Sequence, residues 1–101
     1  MYNTSPMEYY KWSSTKNEKL KAERGVSFEQ VVIQVEHGKV HNVYTHPNQK
    51  QYPNQQILII EINNYCYIVP FVENANGRFL KTIIPSRKAT KRYLGGHNEK
   101  T

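Results

Sequence analysis

The sequence predicts an α+β fold, with two N-terminal helices, a four-stranded, mainly antiparallel sheet and a C-terminal helix. Three observations support this prediction. Two helix-start motifs lie in the first third of the chain, two strongly apolar segments joined by an Asn-Asn pair lie in the middle, and a Pro-Ser pair precedes a short basic segment near the end. A chain of 101 residues suffices for one domain with a modest core.

The N-terminal helices are predicted from capping motifs, in which Ser or Thr is followed three residues later by Glu or Gln. Thr15-x-x-Glu18 predicts a charged helix over about residues 15–24, which Gly25 would end in the left-handed conformation. The second motif, at residues 27–30, predicts the next helix. Its apolar side follows helical spacing through Phe28, Val31, Val32 and Val35. The valines would also suit a strand.

The strongest strand signals are Gln56–Ile62 and Tyr65–Val72, which Asn63-Asn64 joins as a two-residue hairpin. Shorter strands are expected before the hairpin at Lys39–Tyr44 and after it at Arg78–Ile84. The order of these elements favours antiparallel neighbours, because each strand can turn back directly on the one before it.

The hairpin register predicts two apolar faces. One face carries Leu58, Ile60, Ile62, Tyr65, Tyr67, Val69 and Phe71. The other carries Ile57, Ile59, Cys66, Ile68 and Pro70. Because a sheet in water normally keeps one polar face, we expect the N-terminal helices to cover the first face. The last helix, a partner protein or both would cover the second. Pro70 has no N–H to donate, which predicts an irregularity in the sheet there.

Composition limits the classes of protein that remain. We expect residues 1–6 to be a disordered leader, residues 7–95 to form a single domain and residues 96–101 to be a flexible tail. No apolar run approaches the roughly 18–20 residues of a membrane span, and the start lacks the pattern of a signal peptide. The single Cys66 cannot form an intrachain disulfide, which favours a reducing, cytoplasmic location. The sequence has no Asp and no metal-ligand spacing, so we expect neither metal nor cofactor.

The net charge is +6, and most of it lies in residues 81–101, where six basic residues face one acidic residue. Such a cluster attracts polyanions, either nucleic acid or an acidic protein surface.

Pro85-Ser86 predicts the end of a strand and the start of a helix over about residues 87–94. Basic residues oppose the dipole in a first helical turn, so their position there points to function. Two neighbouring stripes hold them: Arg87 with Lys91, and Lys88 with Arg92.

Two segments near the ends, residues 24–29 (Arg-Gly-Val-Ser-Phe-Glu) and residues 83–90 (Ile-Ile-Pro-Ser-Arg-Lys-Ala-Thr), resemble the BrnT-type toxins. These are small ribonuclease toxins of bacterial type II toxin–antitoxin modules, with a RelE-like fold. The extended segment Glu8–Trp12, with its Tyr-Lys-Trp, is also similar to the start of that family. The resemblance implies an endoribonuclease that cleaves RNA without a metal and arrests translation. It also implies a cognate antitoxin, of the ribbon-helix-helix type, through which alone the module would bind promoter DNA.

Cleavage of RNA without a metal needs a group that activates the 2′-hydroxyl, a group that protonates the leaving 5′-oxygen and cations that stabilise the charged phosphorus centre. On the resemblance, the candidates for charge stabilisation are Lys81 and Arg87. The candidates for proton transfer are Tyr93, His46 and Tyr52. The expected RNA contacts are Lys88, Lys91 and Arg92 on the backbone and Tyr67 stacked on a base.

Several of these residues also have a purely structural interpretation. Tyr67 would pack in the core, Tyr93 would pack the last helix on the sheet, and His46 would serve a turn. Lys81 would pair with Glu61 if the two share a sheet face. For the protein as a whole, the alternatives are a non-catalytic RelE-fold binding module and a ParE-like toxin that acts on a protein target.

Overall fold

The computed structural model describes residues 9–95, and within them three helices and six strands form an α+β fold. The expected leader at residues 1–6 and tail at 96–101 lie outside the described residues. The elements in chain order are β1 (Tyr10–Lys11), α1 (Ser14–Arg24), α2 (Phe28–Glu36), β2 (Val40–Thr45), β3 (Gln55–Ile62), β4 (Tyr65–Asn74), β5 (Gly77–Leu80), β6 (Ile84–Pro85) and α3 (Arg87–Tyr93). None of these helices is long and apolar enough to cross a membrane.

The sheet is larger than the four strands predicted. Its order is β1-β5-β4-β3-β2, and β6 pairs with β4 beyond the end of β5. All pairs are antiparallel except β1 with β5. The sheet gains β1 at one edge, because the short N-terminal extended segment pairs in parallel with β5 through Tyr10 and Lys11. The predicted fourth strand is divided into β5 and β6.

The division of that strand follows from Pro70. Phe71 pairs with Leu80, whereas Ile68 pairs with Ile84, so three residues of one strand stand opposite two of the other. The carbonyl oxygen of Pro70 accepts a bond from the Lys81 N–H at 2.8 Å, which shows that this residue's backbone faces β5 and β6. Because proline has no N–H to return, the ladder is interrupted at this point. The predicted irregularity is confirmed.

The central hairpin has the predicted register. Ile62 pairs with Tyr65, and the pairing continues without a shift to the far end of β3. Asn63 and Asn64 have φ angles of 52° and 63°. Two consecutive positive φ angles define the type I′ turn, whose twist matches that of the flanking strands, and Asn tolerates this conformation.

Both apolar faces of the sheet are covered by helices. The N-terminal helices cover the first face, in a core cluster that includes Leu20, Phe28, Val31, Val32, Leu58, Ile60, Ile62, Val69 and Phe71. Helix α3 covers the second face, where Ala89 is buried with Ile57, Ile59 and Cys66. The sequence predicted that the last helix, a partner protein or both would cover the second face. Within residues 9–95, α3 covers it.

The structure confirms the predicted start of α2 and the predicted end of α1, but not the predicted N-cap of α1. Ser27 and Gln30 form the predicted capping box with both of its hydrogen bonds, so the valine-rich segment after it is a helix and not a strand. Gly25 ends α1 with a φ angle of 68°. The prediction that Thr15 caps α1 is wrong. Ser13 is the cap, because its hydroxyl oxygen accepts the Lys16 N–H at 3.1 Å.

Candidate nucleic-acid interface

The start of helix α3 is fixed on strand β4 by hydrogen bonds at both Ser86 and Thr90. Ser86 caps the helix as predicted, since its hydroxyl oxygen accepts the Ala89 N–H, and its own N–H donates to the Cys66 carbonyl at 3.0 Å. The Thr90 hydroxyl oxygen accepts the Cys66 N–H at 2.8 Å and donates its own proton to the Ser86 carbonyl. These bonds set where the basic side chains of α3 lie relative to the sheet.

The end of helix α3 contacts the opposite edge of the sheet through Tyr93. The Asn42 side-chain amide donates a hydrogen bond to the Tyr93 hydroxyl at 3.0 Å. The His41 ring stacks on the Tyr93 ring, with centroids 5.4 Å apart and planes inclined by 25°. Helix α3 thus crosses from β4 over β3 to β2, and its last turn is held by two consecutive residues of the edge strand.

A β-bulge places these two residues on the same face. Val40 pairs with Ile60 and Asn42 pairs with Ile59, which leaves His41 without a partner on β3. Side chains of a regular strand alternate between faces, so only one of the two residues would otherwise point to α3. The bulge inserts one extra residue and re-aims the side chains that follow. Tyr44, two residues further, consequently lies on the α3 side as well.

Helix α3, β2 and the underlying sheet enclose a groove of about 320 Å³, which we call the α3 groove. Its lining consists of Asn42, Tyr44, Ile59, Ile68, Ser86, Lys88, Ala89, Arg92 and Tyr93. Lys88 and Arg92 are exposed and lie one helical turn apart. The Arg92 guanidinium carbon is 5.6 Å from the centroid of the Tyr93 ring. Two cations, an exposed tyrosine ring and a phenol hydroxyl therefore share one concave surface.

Only one of the two basic stripes predicted on α3 lines the groove. Lys88 and Arg92 line it, whereas Arg87 and Lys91 are exposed residues of the helix that do not belong to its lining. Lys81 lies in the interruption between β5 and β6, with its ammonium nitrogen 5.8 Å from the centroid of the Phe79 ring. The two residues favoured for charge stabilisation, Lys81 and Arg87, are thus outside the groove that holds Tyr93.

The other predicted site residues lie elsewhere. His46 and Tyr52 contact each other in the loop between β2 and β3, with ring centroids 4.5 Å apart. His46 Nδ1 accepts the Asn48 N–H at 3.0 Å, which agrees with its interpretation as a turn residue. Tyr67 lies on the sheet face that α1 and α2 cover, where it packs against the core and meets Tyr65 edge-on. It is on the opposite face from the α3 groove.

The sequence did not identify His41, Asn42, Tyr44 or Glu61 as site residues. His41 Nε2 is 3.0 Å from Glu61 Oε1, and both side chains are largely shielded from solvent. The suggested pair of Lys81 with Glu61 is wrong. Lys81 lies beside Pro70, on one side of β4, whereas Glu61 belongs to β3, on the other side of β4 and near the hairpin turn. A histidine beside an asparagine in a short strand carries no signal of a bulge, so these residues could not be found from their types alone.

Two further groups near this face have structural roles. Cys66 is fully buried, and its burial raises the pKa of the thiol, with a smaller contribution from the Glu61 charge. The thiol therefore stays protonated and acts as a small apolar group. Arg24, at a position of the resemblance to the BrnT-type toxins, donates a hydrogen bond to the carbonyl oxygen of the buried Ile83 and so ties α1 to the segment before β6.

Comparisons of the chain with protein-family models, with curated proteins and with solved structures give no match.

Proposed function

We propose that this protein is the toxin of a type II toxin–antitoxin module, and that it cleaves single-stranded RNA in the α3 groove without a metal ion. The observation that supports the proposal is the common groove of Lys88, Arg92 and Tyr93. Cations beside an exposed aromatic ring are the usual combination for binding single-stranded nucleic acid, because the cations follow the phosphates and the ring stacks on a base. Tyr44, whose side chain is exposed, would be the stacking residue.

In this proposal the Tyr93 hydroxyl donates its proton to the leaving 5′-oxygen as the 2′-oxygen forms its bond to phosphorus and the bond to the 5′-oxygen breaks. The proton of the 2′-hydroxyl passes to water, and solvent reprotonates the phenol. A phenol can donate and accept a hydrogen bond, and Asn42 orients this one by donating to its oxygen. Lys88 and Arg92 stabilise the charge that develops on the phosphorus centre. The charge-stabilising role expected for Lys81 and Arg87 is thereby assigned to their neighbours on the groove side, and Arg87 and Lys91 are left as contacts with more distant phosphates.

The resemblance of residues 24–29 and 83–90 to the BrnT-type toxins supports the remaining parts of the proposal. The described residues form an α+β fold with helices on both faces of the sheet and a basic C-terminal helix, and this coarse architecture is compatible with the RelE-like fold that the resemblance implies. The antitoxin, a ribbon-helix-helix protein with an acidic segment, would occupy the α3 groove and complement its charge. The module would act in the cytoplasm and would bind promoter DNA only through the antitoxin.

The proposal is tested by incubating the purified protein with end-labelled single-stranded RNA in EDTA. Wild type is compared with Lys88→Ala, Arg92→Ala, Lys81→Ala and Arg87→Ala. We expect wild type to cleave, and the two groove substitutions to reduce cleavage more than the two outside it. RNA that stays intact with the folded wild type would contradict an endoribonuclease that acts on free RNA. The matching test in cells is growth after expression of the protein is induced. We expect wild type to arrest growth and Arg92→Ala not to.

A second candidate is a non-catalytic module that binds RNA without cleaving it. It is favoured by one observation, namely that four of the five predicted catalytic residues do not line the groove: Lys81, Arg87, His46 and Tyr52. The same incubation separates the two candidates when binding is measured in parallel. Tight binding of intact RNA supports the module, and a growth arrest without RNA binding supports a ParE-like action on a protein.

A further inference from the structure

Glu61, His41 and Tyr93 form a chain of contacts that ends at the α3 groove. Glu61 Oε1 lies 3.0 Å from His41 Nε2, and the His41 ring stacks on Tyr93 with centroids 5.4 Å apart. The Tyr93 hydroxyl is at the groove, where Asn42 donates to it. These contacts join three elements, since Glu61 belongs to β3, His41 to β2 and Tyr93 to α3.

The bond to Glu61 fixes the orientation of the imidazole. A carboxylate oxygen accepts hydrogen bonds, so this contact is assigned with Nε2 as the donor. The His41 side chain is 26% exposed and that of Glu61 13% exposed, which shields the bond from competing water. A stack at this inclination needs a ring held in one plane, and a hydrogen bond at the ring edge provides that restraint.

The contact between the His41 and Tyr93 rings depends on the β-bulge at His41. In a regular β2 paired through Val40, either His41 or Asn42 would point to α3, but not both. With the extra residue, His41 reaches the face of the Tyr93 ring while Asn42 reaches its hydroxyl. The ring and the hydroxyl are thus restrained separately, which defines both the position and the rotation of the phenol.

We propose that His41, oriented by Glu61, is a positioning residue that holds the Tyr93 phenol at the α3 groove. Its importance for catalysis rests on the proposed function, because Tyr93 is the proton-transfer group there. A displacement of a reacting group by about 1 Å reduces the rate by on the order of a hundredfold. The expected effect of losing the restraint is therefore on turnover, with RNA binding through Lys88 and Arg92 retained.

The experiment compares His41→Ala, Glu61→Ala and Glu61→Gln, with His37→Ala as the matched control. His37 is an exposed histidine at the end of α2, away from the groove. Two quantities are measured for each folded variant. The first is RNA cleavage resolved into kcat and KM. The second is the NMR chemical shift of the Tyr93 ring protons. The stacked imidazole displaces this shift, and its measurement needs no RNA.

We expect His41→Ala and Glu61→Ala to lower kcat by about tenfold to a hundredfold at nearly constant KM, and to move the Tyr93 ring resonances. Glu61→Gln retains an acceptor oxygen, so it should keep more activity than Glu61→Ala. Wild-type kinetics in His41→Ala would overturn the inference and leave the proposed function intact. If wild type does not cleave RNA, the proposed function fails, and the NMR shift in Glu61→Ala, which keeps the imidazole and removes only its bond, still decides whether an oriented His41 positions Tyr93. Tyr93 resonances unchanged in Glu61→Ala would refute the positioning.

Discussion

The Asn42 amide donates a 3.0 Å hydrogen bond to the Tyr93 hydroxyl, and this bond joins the edge strand of the sheet to the last turn of the C-terminal helix. It exists because the bulge at His41 turns Asn42 toward α3. The residues that orient the phenol and those that supply positive charge therefore come from different elements. The candidate site is a product of the tertiary fold, and it depends on how α3 lies on the sheet.

Lys88 and Arg92 should determine the salt dependence of RNA binding. On a single strand, each phosphate contact that is removed reduces the magnitude of the negative slope of log binding constant against log salt concentration by about 0.7. We expect Lys88→Ala and Arg92→Ala each to reduce the slope in this way and to weaken binding at low salt. The measurement is fluorescence anisotropy with a labelled oligonucleotide that carries 2′-O-methyl groups and cannot be cleaved through its 2′-hydroxyls.

The control for this series is Lys19→Ala on helix α1. It removes the same unit of charge from an exposed position of the helix layer on the other sheet face. A merely global charge effect would give Lys19→Ala the same loss as Lys88→Ala. That result would contradict the assignment of the α3 groove as the binding surface.

Thr90 should contribute to stability through the Cys66 N–H. Valine has the shape of threonine but accepts no hydrogen bond, so Thr90→Val leaves the N–H of the fully buried Cys66 without its acceptor. We expect a loss of about 1–3 kcal/mol in the free energy of unfolding, measured by urea denaturation. Thr45→Val, at an exposed position of the edge strand, is the control and should change stability little. Equal stabilities of the two variants would show that the Thr90 contact is unimportant.

Glu29 should make the stability depend on pH in the acid range. The Asn17 amide donates to Glu29 Oε1 at 2.8 Å and, as the largest cause, lowers the pKa of this carboxyl below its ordinary value of 4.5. A group with a lowered folded pKa stabilises the protein above the unfolded pKa, and the contribution is lost as the pH falls through the folded pKa.

The test of this dependence is the free energy of unfolding of Glu29→Gln between pH 7 and pH 3. Because the carboxyl is only partly buried and is screened by solvent, we expect wild type to exceed the variant by about 0.2–1 kcal/mol at pH 7, and the difference to shrink as the pH falls below 4.5. The exposed Glu23→Gln serves as control. A difference that grows toward low pH would have the wrong sign for this interaction.

Local sequence signals predicted most of the fold. The Asn63-Asn64 turn fixed the hairpin register, and that register assigned the side chains to the two faces that the helices cover. Pro70 predicted an irregularity in the sheet at its own position, because a missing N–H has its effect whatever the surroundings. That this irregularity divides the next strand into β5 and β6 was not predicted. The Ser27 capping box likewise depends on residues only three positions apart. Such features could be predicted because their causes lie within a few residues.

The errors arise where distant residues compete. Thr15 has the right neighbour for a capping box, but Ser13 starts the helix earlier, and the buried Asn17 then bonds the Phe28 N–H across two helices. Likewise, the spacing on α3 predicted two basic stripes, but which stripe borders a groove depends on how the helix packs. Lys88 and Arg92 could be distinguished from Arg87 and Lys91 only with Tyr93 placed against β2.

The proposed role of the Tyr93 hydroxyl in RNA cleavage is tested by comparing Tyr93→Phe with Tyr65→Phe under single-turnover conditions in EDTA. Both variants lose one phenol hydroxyl, and Tyr65 lies on the opposite face of the sheet. We expect Tyr93→Phe to bind RNA but to cleave it about 10²–10⁴ times more slowly than wild type, whereas Tyr65→Phe should cleave at close to the wild-type rate. Equal cleavage rates in the two variants would show that the Tyr93 hydroxyl has no part in cleavage.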